Sequence, residues 1–163
     1  MAIPPIPADL RECLRSLGAR GARFLLVGGY AVNYYGYVRA TGDMDIWVEP
    51  SEENAERVVA ALREFGFDVP ELSPELFADP DAVVCMGEPP FRIELITTIS
   101  GVAFDECYEQ RVVEHVDDVE VPFISLDHLK ANKRAAGRLK DRVDVQHLTP
   151  PKRHTRGRTR PTP

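Results

Sequence analysis

The residues with the most chemistry to offer are three carboxylates. Thr41-Gly42-Asp43-Met44-Asp45-Ile46-Trp47-Val48 sets Asp43 and Asp45 two apart in an apolar run. In an extended strand such a pair leaves the same face about 7 Å apart along the chain, so both acids can converge on one Mg²⁺ or a pair of such ions. Like charges at the end of an apolar strand repel each other and are costly to desolvate unless a cation or strong donor compensates them. Taken alone, Asp-x-Asp is more often the pattern of a solvated strand end. The third acid is Glu94, in Phe91-Arg92-Ile93-Glu94-Leu95-Ile96-Thr97. Apolar residues flank it on both sides, which predicts a central strand carrying one acid, with Arg92 on the same face as its simplest structural partner. An Asp/Asp/Glu set suits hard, oxygen-seeking Mg²⁺, with Mn²⁺ as the alternative, and the chain offers no His/Cys cluster for a softer metal.

A second element with chemical meaning comes earlier. Phe24-Leu25-Leu26-Val27-Gly28-Gly29 predicts a buried strand running into a sharp turn, where missing side chains let the backbone approach a ligand; a plain turn has the same pattern. Between Gly29 and Asp43 there is room for a short helix and a return loop. In that loop Arg39 and Thr41 are candidate phosphate or ribose contacts, or else loop structure. Tyr34, Tyr35 and Tyr37 could stack on a base or pack as a partly buried rim. The glycine pair is followed neither by Gly-x-x-Gly nor by Gly-Lys-Ser/Thr, which excludes dinucleotide-binding and P-loop readings.

A third constellation is cationic: Lys130, Lys133, Arg134, Arg138, Lys140, Asp141, Arg142 and Asp144. In the functional reading Lys133 faces a triphosphate and balances charge on a departing pyrophosphate, Arg138 and Lys140 support it, and Asp141 orients one of these bases. In the structural reading these charges are solvated, Lys140 pairs with Asp144 at i,i+4, and Leu139, Val143 and Leu148 form the apolar set.

The elements that must position these residues follow from periodicity and punctuation. A helix is predicted over 8–18, with Leu10, Cys13, Leu14 and Leu17 on one stripe, then a strand over 24–28 and a helical turn over 30–35. Ser51 offers an N-cap for a helix over 51–65 that Gly66 stops. Residues 68–80 read as loop. Strands over 83–86 and 91–98, joined by Gly87-Glu88-Pro89-Pro90, predict an antiparallel pair, as do 111–116 and 119–124 after a short helix over 105–111. Helices over 126–136 and 138–148, interrupted at Gly137, complete the chain. This order predicts an α+β fold, with a mixed or antiparallel sheet and helices mainly on one side.

At 163 residues, 44% hydrophobic and 28% charged, the chain reads as one ordinary globular domain over 1–148. No apolar stretch is long enough to span a bilayer and the first residues carry no secretion signal, so a cytoplasmic location without membrane contact is expected. Cys13, Cys85 and Cys107 are odd in number and widely spaced, which predicts buried thiols. His115, His128, His147 and His154 show no ligand spacing. The net charge of −6 is uneven: residues 149–163 hold five basic residues and no acid, leaving −11 on 1–148. That Pro- and Gly-punctuated end reads as a flexible basic tail, able to touch nucleic acid phosphates or to fold back on the acidic body.

Gly28-Gly29, Asp43-x-Asp45, Glu94 and the stretch from Lys133 to Asp144, in this order, resemble the nucleotidyltransferase superfamily, the polymerase-beta-like fold in its minimal form. Within it the chain is most similar to the bacterial nucleotidyltransferases related to AbiEii-type toxins and their small relatives, from about Phe24 to Leu148. The resemblance implies that Gly28, Gly29 and the helix after them hold phosphates, that Asp43 and Asp45 bind Mg²⁺, and that Glu94 completes the metal site and assists the attacking hydroxyl. It places Lys133 and Lys140-Asp141 on the lysine and Lys/Arg-Asp positions of the toxin-like branch. The implied activity is transfer of a nucleoside monophosphate from an NTP to an acceptor hydroxyl on tRNA or other RNA, protein or a small molecule. Two alternatives stand beside it: a catalytically silent nucleotide-binding or antitoxin-like module with a cognate toxin or antitoxin partner, and an RNA-binding protein that uses the tail. Tyr30 departs from the family pattern, standing where a small hydroxyl residue is expected.

Overall fold

The computed structural model describes residues 5–148. The basic tail predicted over 149–163 lies outside them. Helix α1 (Ala8–Ala19) follows Pro7 and buries the predicted stripe of Leu10, Cys13, Leu14 and Leu17. Strand β1 (Phe24–Val27) is buried at every position and runs directly into α2 (Gly28–Tyr34). Strand β2 (Asp43–Val48) returns antiparallel to β1, and α3 (Glu52–Phe65) follows. The Ser51 hydroxyl accepts from the Asn54 amide at 3.2 Å, satisfying one of the free N–H groups at the start of α3.

Residues 68–80, expected to be loop, contain a short helix, α4 (Pro74–Ala78). Proline suits the first helical turn, where no N–H partner is lost, and α4 buries Phe77 completely in the core. The acid- and proline-rich composition of the segment hid a helix that rests on one aromatic anchor. Strands β3 (Val83–Met86) and β4 (Arg92–Ile96) form the predicted antiparallel pair. Helix α5 (Phe104–Glu109) leads to the hairpin of β5 (Val112–Val116) and β6 (Val119–Phe123), and the chain closes on α6 (Leu126–Ala136) and α7 (Leu139–Leu148).

The six strands form one sheet in the order β3-β4-β2-β1-β6-β5. It is mixed: β2 pairs with β4 and β1 with β6 in parallel, and the remaining pairs are antiparallel. Helices lie largely on one face, so the class is α+β. Because side chains alternate along a strand, Met44, Ile46 and Val48 of β2 and Ile93 and Leu95 of β4 share the fully buried face. The opposite face carries Asp43, Asp45 and Trp47 on β2 and Arg92, Glu94 and Ile96 on β4. Trp47 caps that polar row: its indole N–H donates to the Thr97 carbonyl at 3.1 Å and its ring meets Phe104 edge-on. Among the described residues no helix is long and apolar enough to cross a membrane.

Cys13 and Cys107 are buried as expected, and burial raises their thiols to about 12 and about 11. Cys85 differs. It lies on β3, the edge strand, and is exposed.

Candidate functional site

The three acids meet because of strand register. In the parallel ladder between β2 and β4, Asp43 lies opposite Arg92 and Asp45 opposite Glu94. Neighbouring strands are about 4.8 Å apart, so the acids are drawn from two strands onto one patch. One carboxylate oxygen from each of Asp43, Asp45 and Glu94 lies within 4.8 Å of the others, and all three residues are half-buried. The crowding has an electrostatic signature. Burial, then the charges of Glu94 and Asp43, push the Asp45 carboxyl up to about 6, against the opposing pull of Lys133 and Lys140. Glu94 is also raised, by burial and then by its hydrogen bond with Asp43 and that residue's charge. Three mutually repelling oxygen donors of this kind form a good ligand set for a small hard divalent cation. The sequence-level partner of Glu94 is present as well: Arg92 Nη2 lies 3.4 Å from Glu94 Oε2, while its Nε lies 3.8 Å from Asp43 Oδ1.

The glycine pair is required by its close neighbours, Asp45 at Gly28 and Thr41 at Gly29. Gly28 has φ +64, and a Cβ at that position would collide with the Asp45 carboxylate; a Cβ on Gly29 would stand 2.5 Å from the Thr41 hydroxyl. The bare backbone at the mouth of α2 therefore packs directly on the acidic patch. Thr41 lines the cleft, yet its hydroxyl donates to the Asp43 carbonyl at 3.0 Å and so fixes the start of β2. Tyr30 is buried and faces a separate groove with Ile6, Val38 and Phe91, away from the acidic patch.

On α6 and α7 a buried ionic network stands in place of the expected apolar seam. Lys133 is 4% exposed, and its Nζ sits 3.2 Å from both Asp141 Oδ1 and Asp144 Oδ2. Arg138 clamps Asp141, with Nε to Oδ2 at 2.6 Å, and Gly137 permits the tight corner between the helices by taking φ +68. Burial pushes Asp141 up, but the hydrogen bond from Arg138 and the charge of Lys133 prevail and hold it below its usual range. Arg39 reaches across from the loop before β2 to grip Asp144 with two bonds of 3.0 Å. The expected Lys140–Asp144 pair is thus replaced: Lys140 is exposed at the cleft, and Asp144 belongs to Arg39 and Lys133. The buried face of α7 is Asp141, Asp144 and Leu148, whereas Leu139 is 74% exposed. Asp144 is the residue that sequence reasoning gave no site role. Its signal was the 141, 144, 148 spacing, a helical face whose acids lie toward Lys133.

These pieces enclose a cleft of about 650 Å³, lined by Gly28, Gly29, Arg39, Thr41, Asp43, Asp45, Glu94, Lys133, Arg138 and Lys140 among others. Asp141 does not line it and bonds Lys133 and Arg138 from behind. The tyrosines do not line it either. Tyr34 stacks on Phe123 and donates to Glu114, Tyr35 donates to the Ile124 carbonyl, and Tyr37 stacks on His147, so all three take the packing role.

The cleft thus combines an acidic patch, cationic residues and a glycine turn. Residues 7–155 match the family described as "Nucleotidyl transferase of unknown function (DUF2204)", and the chain belongs to that family. No curated protein matches the sequence.

Proposed function

We propose that this protein transfers a nucleoside monophosphate from an NTP to an acceptor hydroxyl. The observation that carries the proposal is the convergence of Asp43, Asp45 and Glu94 opposite Lys133, Arg138 and Lys140 across one cleft. The carboxylates fit a divalent ion, Mg²⁺ or Mn²⁺, by donor chemistry and by the burial and mutual repulsion that raise Asp45. Such an ion, when bound, neutralises phosphate charge and favours the deprotonated acceptor hydroxyl. The backbone N–H groups of Gly28 and Gly29 present donors to the phosphates where no side chain intervenes. Lys133 and Arg138, held in place by Asp141 and Asp144, oppose the charge that develops on the leaving pyrophosphate. Lys140 adds to the same field from the cleft rim. Arg39 and Thr41 act mainly as braces of the loop, since each is already bonded to the protein.

The resemblance to AbiEii-related nucleotidyltransferases supports acceptors of three kinds: RNA, a protein hydroxyl or a small molecule. The test is transfer of α-labelled NMP from each of the four NTPs to total RNA, total protein and a panel of small polyols, with Mg²⁺ or Mn²⁺. Label should appear in one acceptor pool and vanish with chelator or with Asp43→Ala. Label that persists in Asp43→Ala would contradict the proposal.

A second reading is a silent nucleotide-binding module of a toxin–antitoxin pair. It is favoured by the closed pairing of Lys133 and Arg39, two cations a triphosphate would otherwise engage. Tight NTP binding with no transfer to any pool would select it.

A further inference from the structure

Three carboxylates bring three negative charges to the junction of β2 and β4, and one side chain already contacts two of them. Arg92 precedes Glu94 by two residues on the same strand face and lies opposite Asp43 in the parallel register. Its guanidinium bridges the patch, with Nη2 3.4 Å from Glu94 and Nε 3.8 Å from Asp43. From the third side, Cys85 Sγ accepts from Nη2 at 3.3 Å, across the register that sets Cys85 opposite Glu94. Nε is sealed from solvent without a hydrogen-bond partner, so it faces Asp43 by charge alone. The cations of α6 and α7 are engaged differently: Lys133 lies between Asp141 and Asp144, Arg138 is clamped to Asp141, and Lys140 acts on Asp45 and Glu94 by charge from the exposed rim of the cleft.

We propose that Arg92 occupies one cation position of the carboxylate cluster, so that the nucleotide-free protein binds a single divalent ion and not two. This inference rests on the reading of Asp43, Asp45 and Glu94 as a metal site. An arginine keeps its charge at any working pH, so Arg92 offsets one of the three carboxylate charges at contact distance and leaves two for one divalent ion to cancel. Removing the guanidinium restores the third charge and frees the oxygens of Asp43 and Glu94 that face it, which together admit a second ion.

The test is titration of Mn²⁺ into metal-free, full-length protein, followed by the free-ion electron paramagnetic resonance signal and by calorimetry. The variants are Arg92→Gln, Arg92→Lys and Asp45→Asn. Arg92 is 37% exposed, and its replacement leaves the core untouched. The wild type and Arg92→Lys should bind one Mn²⁺ per chain, and Arg92→Gln two, the first of them about tenfold more tightly than in the wild type, as expected when a like charge a few ångströms away is removed. Two ions in the wild type, or one in Arg92→Gln, would overturn the inference while leaving the metal site standing. If Asp45→Asn bound Mn²⁺ as the wild type does, or the wild type bound none, the metal reading would fall and this inference with it.

Discussion

At the scale of single residues, Asp45 concentrates the tension between stability and chemistry. Its carboxyl is raised to about 6 from 3.8, chiefly by burial. A folded state that holds a carboxyl proton more tightly than the unfolded chain gains from it at low pH and loses that gain as pH rises through the window between the two values. The metal-free protein should therefore carry its full Asp45 penalty above about pH 6, on the order of 1–3 kcal/mol by the standard conversion of pKa shift to free energy. Asp45→Asn should raise the melting temperature of metal-free protein at pH 8 and have little such effect near pH 4, while Mn²⁺ affinity falls by at least about tenfold. Equal melting behaviour of the two proteins at pH 8 would argue against the burial of this charge. In the wild type, divalent-ion affinity should drop as pH falls through about 6, because the proton competes for the same oxygens. Gly28→Ala is the companion test. A left-handed backbone and a Cβ aimed at the Asp45 carboxylate should destabilise the fold by about 1–3 kcal/mol and displace a ligand oxygen, so urea unfolding and Mn²⁺ titration should shift together.

At the scale of elements, legibility followed local signals. Strand β2, helix α3 with its Ser51 cap and the β5–β6 hairpin were readable because alternation, capping and turn residues are written within a few positions of one another. The same holds for the three acids, since Asp43 and Asp45 share a strand face by spacing alone and Glu94 interrupts an otherwise apolar strand. The orientation of α7 was not readable. Its apolar set of Leu139, Val143 and Leu148 suggests a seam, but only Leu148 of the three is fully buried, beside two aspartates whose partners, Arg39 and Lys133, come from a loop and from the preceding helix. Helix α4 is hidden for the related reason that Phe77 is its one fully buried residue. The network makes a specific prediction. Asp144→Ala leaves Arg39 and the buried Lys133 each short of a carboxylate, which should cost about 3 kcal/mol, with NTP affinity reduced along with stability. Asp144→Asn should recover part of both, since it keeps the shape and some hydrogen bonding. Unchanged urea midpoints for Asp144→Ala would mean that Asp141 alone holds Lys133.

At the scale of the whole molecule, the sheet places the acidic patch on two adjacent strands near its middle, and α6 and α7 bring cations over it, so one cleft joins opposite charges within a body that is strongly acidic. Residues 1–148 carry −11, which disfavours polyanions everywhere except at that cleft and at the basic stretch beyond it. An RNA acceptor would therefore have to lean on residues 149–163, and a chain truncated after Leu148 should lose RNA affinity and its salt dependence while keeping NTP binding. RNA affinity unchanged by that truncation would leave protein or small-molecule acceptors as the better account. The most direct measurement of the central claim is a crystal structure with a non-hydrolysable NTP and Mn²⁺, read at the manganese anomalous edge. Anomalous density is expected within coordination distance of Asp43, Asp45 and Glu94, with the triphosphate lying between Gly28-Gly29 and the Lys133–Arg138 wall. Nucleotide bound elsewhere, or manganese absent from the three carboxylates while the nucleotide occupies the cleft, would contradict it.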